Sequence, residues 1–345
     1  MELYTPEGWL NFRAVRDLGY PFTFIIGGRG TGKTFGALDT SIEDGLPFAL
    51  MRRTQTQADL IGNPTFSPLR PICRERGLEL LTRPIVKGIS GFYRSKLVKG
   101  KQLPEGEPLG ISCALSTLGN VRGFDGSAIR LLIYDEFLPE RGDRPLKAEA
   151  DKFYNAYETI NRNRELDGSA PLQAVFLGNS NDLGSPLLLK LDLVDRIENM
   201  QRAGKMVWTS DKRGIAVVLL RDSPVSAAKA GTALYRLAEG SEYSEMALGN
   251  SFAYEDRGSI RSRPLAEYRP VVGIGDDLTI YRHKSKRLYY VSRHRTGSPP
   301  VYSTGETDLD RLRRSYGWLY KEMLDGTLDY ESYPCQLMLT KVMLW

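Results

Sequence analysis

Phe22, Thr23, Phe24, Ile25 and Ile26 run directly into Gly27, Gly28, Arg29, Gly30, Thr31, Gly32, Lys33 and Thr34. The first five have the length and the aromatic and β-branched character of a short buried strand. The glycines that follow let the backbone curl with its N–H groups turned toward an anion. In this G-x-x-x-x-G-K-[ST] spacing, Lys33 is placed to neutralise phosphate oxygens and the Thr34 hydroxyl to take one position on Mg²⁺. Phe35 to Asp44 reads as a helix closed by Gly45, so a pyrophosphate would also meet a helix N-terminus. A strand before and a helix after separate a phosphate-binding loop from a glycine-rich turn with an accidental Lys-Thr. The expected fold class is α/β, a P-loop NTPase built on a parallel sheet with helices on both faces.

At 345 residues the chain exceeds what one hydrophobic core usually serves, and two domains are expected. The expected boundaries are an ATPase domain at 1–222, a linker at 223–252 and a small nucleic-acid-binding domain at 253–345. The linker rests on Asp222, Ser223, Pro224 and the small residues through Gly231. No signal-peptide core and no run near a membrane span is visible, so a soluble cytoplasmic protein without a membrane partner is expected. Cys73, Cys113 and Cys335 are scattered with no C-x-x-C, which points to a reducing compartment and away from zinc. Both histidines, His283 and His294, lie far from the loop in sequence, so a carboxylate is the expected general base.

Three further strands carry candidate chemistry at their ends, where an open α/β sheet gathers its ligands. Phe48 to Met51 delivers Arg52 and Arg53, either of which can reach a γ-phosphate or simply sit solvated at a strand end. Leu131 to Tyr134 runs into Asp135 and Glu136. Asp135 can hold the metal shell, and Glu136 can orient or deprotonate an attacking water. Ala174 to Leu177 ends in Gly178, Asn179, Ser180 and Asn181, where an amide can sense a phosphate or cap a turn. Ile215 to Leu220 reads as the last strand of this domain.

Between these, Leu146 to Asn163 has a helical apolar stripe that Arg164 continues and Arg162 leaves. Arg162 is therefore the better placed to face another subunit. Glu2 to Leu18 has helix-like spacing suited to cover one edge of the site, and 54–108 reads as irregular apart from a hairpin near Phe92 to Val98. Helical pieces are expected at Leu234 to Leu248 and Asp308 to Leu324, with short strands at 271–274, 278–281 and 288–292.

The net charge of +5 is unevenly placed. Between Asn250 and Tyr320 thirteen Lys and Arg face eight Asp and Glu, which accounts for the whole excess. Within it, Arg282, Lys284, Lys286, Arg287, Arg293 and Arg295 interleave with Tyr281, Tyr289 and Tyr290, a pattern that offers partners to backbone phosphates and to bases. A solvated basic hairpin is the alternative.

Gly27 to Thr34, Met51-Arg52-Arg53, Tyr134-Asp135-Glu136-Phe137, Asn161 to Glu165, Leu177 to Ser180 and Gly240 to Met246 together resemble the DNA-packaging ATPases of phi29-like tailed phages. The likeness runs over most of the chain in order. It implies an ATP- and Mg²⁺-dependent ATPase of the additional-catalytic-glutamate class, forming a homomeric ring, a pentamer by that likeness, at the portal of a procapsid in the host cytoplasm. The ring would drive double-stranded DNA inward, in some relatives with a packaging RNA. By position, Lys33 and Thr34 would serve phosphate and metal, Asp135 the metal, Glu136 the catalytic carboxylate and Arg162 a finger supplied to a neighbour. The C-terminal domain would resemble a degenerate RNase H-like nuclease, although Asp276 and Asp277 lack a convincing full acidic set. Two other readings stay open. One is a terminase that cleaves with Asp276 or Asp277 and Glu306, Asp308 or Asp310 on two metals. The other is a nucleic-acid-binding nucleotide switch.

Overall fold

The apolar runs become neighbours in one sheet because each is buried on both faces and can pair on both edges. The computed structural model describes residues 1–118, 125–139, 146, 148–180, 183–241, 244, 248 and 258–344. It divides into two compact units, Met1–Leu191 with Ile197–Ala253, and Asp192–Arg196 with Tyr254–Trp345.

The first unit holds β1 (Phe22–Gly27), β2 (Phe48–Arg52), β3 (Leu80–Val86), β4 (Ile89–Val98), β5 (Lys101–Ala114), β6 (Leu131–Asp135), β7 (Gln173–Asn179), β8 (Val207–Ser210) and β9 (Ile215–Leu220). They form one mixed sheet in the order β3-β4-β5-β2-β6-β7-β1-β9-β8. From β5 to β9 every pairing is parallel, while β3, β4 and β8 add antiparallel edges.

Alternation along the strands separates two cores. Ile25, Leu50, Ile133, Val175, Leu177 and Val218 pack with Ala37, Leu38 and Ile42 of the helix Lys33–Glu43 and with Leu69 and Ile72. On the other face Phe24 stacks on Phe176 at 4.1 Å, and Phe153 of the helix Glu149–Asn161 reaches Phe176 at 4.9 Å. Each of these fully buried rings contributes about 1.5–3 kcal/mol of transfer free energy.

Several expected elements change here. Glu2 to Leu18 keeps only the helix Phe12–Arg16, because Pro6 and Gly8, whose φ is +89°, turn the preceding chain back on itself. The stretch 54–108 is ordered. Thr54 and Gln57 form a capping box for the helix Gln55–Gly62, and β3, β4 and the first half of β5 extend the sheet. Pro104 and Gly106 read as breakers, yet Pro104 faces only β4 and so tolerates its missing N–H. The helix expected from Leu146 starts at Glu149.

The expected linker also begins as part of this unit. Its small residues form the helix Pro224–Ala230, which approaches Gly8 so closely that a Cβ there would lie 2.7 Å from Pro224 Cβ. The helix expected at Leu234 to Leu248 is described only as Ala233–Leu237. Residues 242, 243, 245–247 and 249–252 of that segment, which include most of the Glu-Tyr-x-Glu-Met run, lie outside the described residues, as do Asn181 and Asp182.

The second unit is a five-stranded sheet in the order β13-β10-β11-β12-β14, from β10 (Tyr268–Ile274), β11 (Leu278–His283), β12 (Tyr289–Ser292), β13 (Val301–Tyr302) and β14 (Leu328–Tyr330). β10, β11 and β12 form an antiparallel meander, and β13 and β14 join in parallel. Val272, Ile280, Val291, Leu312, Leu319 and Leu339 centre its core. The helix expected at Asp308 to Leu324 is two, Glu306–Tyr316 and Trp318–Leu324, broken at Gly317. Among the described residues, no helix is long and apolar enough to cross a membrane.

Candidate active site

Register decides which strand ends meet. Asp135 lies beside Leu177, and Gly27 beside both Asn179 and Leu220. Met51 lies beside Tyr134, so the next residue along β2, Arg52, comes level with Asp135. The loop after β1, the ends of β6 and β7 and the start of the helix Lys33–Glu43 thereby line one cavity of ≈ 930 Å³ in the first unit. Trp9, Leu10 and Phe12 line it too, and Leu10 N–H donates to Thr31 O at 2.9 Å, tying the N-terminal segment to the glycine loop.

Lys33 is buried inside that loop, its Nζ donating to Gly27 O at 3.0 Å and Gly28 O at 2.7 Å. Burial pulls its pKa down to about 7, partly offset by Asp135 and reinforced by Lys229 and Arg29. Thr34 Oγ1 donates to the Asp135 carboxylate, at 3.0 Å from one oxygen and 3.1 Å from the other. Burial raises the Asp135 pKa, and Arg52, 2.7 Å away, opposes that rise.

Glu136 is half exposed, and its carboxylate pairs with the other nitrogen of the Arg52 fork. Its φ of +56° is uncommon for a residue with a side chain. One guanidinium therefore spans both carboxylates.

The loop suits an anion. Gly30 and Gly32 hold φ of +65° and +84°, which only glycine adopts without strain. Gly32 opens the helix with no side-chain cap, and the helix's first residues, Lys33 to Phe35, line the cavity. Thr34 and Asp135 offer the hard oxygen donors that Mg²⁺ takes alongside water and phosphate. Among the described residues no group of three or more His, Cys, Asp or Glu could hold a metal, so a cation here would draw its remaining ligands from phosphate and water.

Arg53 is a correction. It lies outside the cavity lining and is buried, bidentate on Glu149, whose carboxylate also accepts from Tyr134 Oη at 2.8 Å. Alternation along β2 sends consecutive side chains to opposite faces, so only Arg52 can meet Asp135. Arg164 is likewise buried, donating to Gly126 O and Ser127 O, whereas Arg162, at the C-cap of its helix, keeps half its side chain exposed with Asp125 3.9 Å away.

The basic segment of the second unit divides. Arg282 and Lys286 are exposed, Lys284 is exposed with its ammonium on Ala266 O, and Arg293 pairs with Asp192 at 2.7 Å. Arg287 is held by Glu322 and Asp325, and Arg295 by Gly275 O and Thr279 Oγ1, so these two serve the fold. Tyr281, Tyr289 and Tyr290 are core residues, which withdraws them from base stacking. Asp276 and Asp277 are exposed in the turn between β10 and β11.

Three residues escaped the sequence reading. Arg269 lies directly across from Arg282 in the β10–β11 ladder, a like-charge pairing that no local pattern shows. Glu149 is the buried partner of Arg53. Lys229, from the supposed linker, lines the cavity and touches the glycine loop.

No family model matches the chain. It is similar to phage DNA packaging proteins. The DNA packaging protein of Bacillus phage PZA is 24% identical over 316 residues, covering 89% of this chain and 84% of that protein. That of Bacillus phage phi29 is 23% identical over the same shares. Among solved structures, the Phi-28 gp11 DNA packaging motor superposes with a TM-score of 0.65 at 17% identity, over 99% of this chain and 98% of that one. The bacteriophage Phi-29 viral genome packaging motor assembly gives 0.65 at 19%, over 99% and 100%. The shared fold thus extends over both units.

Proposed function

We propose that this chain is a phage DNA-packaging ATPase that hydrolyses ATP to drive double-stranded DNA into a procapsid, working as a homomeric ring at the portal. The convergence of Lys33, Thr34, Asp135, Glu136 and Asn179 on one cavity carries the reading. The likeness to phage DNA packaging proteins over most of the chain supports the packaging part of the reading. In this reading the first unit is a P-loop ATPase domain, and the second is a DNA-facing domain of degenerate RNase H-like ancestry.

The backbone of Gly27 to Gly32, with Arg29 and Thr31, cradles the polyphosphate, and Lys33 neutralises it. Thr34 and Asp135 hold Mg²⁺, which when bound offsets the charge on the phosphate oxygens. Glu136 accepts the proton of the attacking water as the γ-phosphorus–oxygen bond to ADP breaks and a new bond to the water oxygen forms. For that, its carboxylate must leave Arg52. Asn179 is placed to sense the γ-phosphate, and Arg162 serves a neighbouring subunit.

Glu136→Gln tests the assignment, since the amide keeps the shape and cannot take a proton. ATP binding should persist with turnover reduced at least ~10²-fold, the usual worth of a general base. Near-normal turnover would remove Glu136 from the mechanism.

A further inference from the structure

Lys229 has no place in the roles assigned so far, yet it sits on the loop at their centre. Its Nζ donates to Arg29 O at 2.8 Å and to Gly30 O at 3.0 Å, and the residue lines the cavity. Gly30 makes room for it. A Cβ on Gly30 would lie 2.0 Å from that Nζ, so any larger residue would push the ammonium from this position, while the backbone angle itself favours glycine. The segment that leads into its helix is tied down, since Ser223 Oγ donates to Gly8 O at 3.4 Å and Tyr4 Oη to Arg221 O at 2.6 Å, both just before Pro224.

Two carbonyls use two of the three N–H bonds of an ammonium, and one remains. Lys229 and Arg29 both act against the charge on Lys33. Cations converging in a partly dehydrated cavity repel until an anion joins them.

We propose that Lys229 is a second polyphosphate-binding lysine, which holds the Arg29–Gly30 turn through its carbonyls and turns its remaining N–H to the phosphate chain. The proposal rests on the nucleotide reading above. It also makes the segment after β9 part of the nucleotide site, so that polyphosphate binding is felt by the helix Pro224–Ala230.

The test uses the full chain and sodium tripolyphosphate, followed by calorimetry, with a non-hydrolysable ATP analogue in parallel. Lys229→Cys should weaken both ligands roughly tenfold or more, the usual worth of a charge-assisted hydrogen bond. Aminoethylation of that cysteine, which rebuilds an ammonium at nearly the same reach, should restore most of the affinity. The native cysteines are all buried, so the new thiol is the one modified. Unchanged affinity in Lys229→Cys overturns the proposal, as does a loss that aminoethylation confirmed by mass spectrometry fails to reverse, since that loss would be structural. If the wild-type chain binds neither ligand, both the nucleotide reading and this inference fall. Should the cysteine variant melt early, Lys229→Met with an unaltered melting curve replaces it, with unchanged affinity again overturning the proposal and a tenfold loss supporting it.

Discussion

Lys33 shows how a residue can be poised by being uncomfortable. Without an anion its ammonium has carbonyls for company, and burial brings its pKa to about 7 from the ordinary 10.5. The folded chain then binds fewer protons at this site than the unfolded chain between those two values. The penalty of charging it is fully present below pH 7 and is relieved as the pH rises toward 10.5. Across that window the ligand-free protein should therefore gain stability relative to Lys33→Met as pH rises, read from paired melting curves. A bound polyphosphate reverses the preference and favours the charged lysine. At about pH 8.5, midway in the window, binding of an ATP analogue should take up nearly one proton, measured by calorimetry in buffers of different ionisation enthalpy. Lys33→Met should abolish that uptake, and equal uptake in both proteins would place the proton elsewhere. Arg52 has the opposite character. It satisfies Asp135 and Glu136 together, so it stabilises an arrangement from which the proposed hydrolysis would have to release Glu136.

At the scale of elements, β2 and β6 sort their charges by face. Arg52 goes to the Asp135 and Glu136 carboxylates, and Arg53 goes to the buried pair with Glu149, which joins the end of β2 to the first turn of the helix that ends at Arg162. Glu149→Ala strips a buried guanidinium of its carboxylate and should cost about 3–5 kcal/mol in urea unfolding, with the m-value unchanged. A loss below about 1 kcal/mol would show that the site relaxes around the arginine. The sequence could not choose between Arg52 and Arg53, because the choice depends on the register of β2 against β6. What it did show were the strands buried on both faces, whose unbroken apolar runs need no partner to be recognised, and the glycine loop, whose spacing is local. The antiparallel extension was hidden because Pro104 and Gly106 look like breakers until it is known that the first half of β5 pairs with β4 alone. Lys229 was hidden because small residues suit a linker and a tightly packed helix equally. In the second unit the same limit applies to charge. Arg282→Glu with Lys286→Glu should weaken duplex DNA binding and make log K fall less steeply with log salt, by about 0.9 for each phosphate no longer neutralised. Arg287→Glu should instead lower the melting temperature, because Glu322 is nearly buried beneath it. An unchanged salt slope in the double variant would move the DNA-binding site to another surface.

For the whole molecule, the proposed ring asks a site built within one chain to work with a neighbour. Arg164 is consumed by its own fold, while Arg162 stands at the end of its helix with half its side chain exposed and a left-handed φ of +51°. A non-glycine residue in that conformation terminates the helix and redirects the chain. An arginine so placed can cross an interface to the charge that builds on a neighbour's γ-phosphate, where such fingers contribute ~10³ to 10⁵ in rate in GTPases. Arg162→Ala should nearly abolish DNA-stimulated turnover with nucleotide affinity little changed. A loss of affinity would instead place Arg162 in its own subunit's binding site. Mixing separates the arrangements further. Arg162→Ala and Glu136→Gln should each be inactive as pure rings, yet in a mixed ring some interfaces would join an intact Glu136 to an intact Arg162 from next door. Turnover should then return in part and pass through a maximum as the ratio is varied. A finger acting within its own chain predicts no recovery at any ratio, since every subunit would lack one of the two groups, and that result, with mixed rings confirmed by native mass spectrometry, would rule out action in trans.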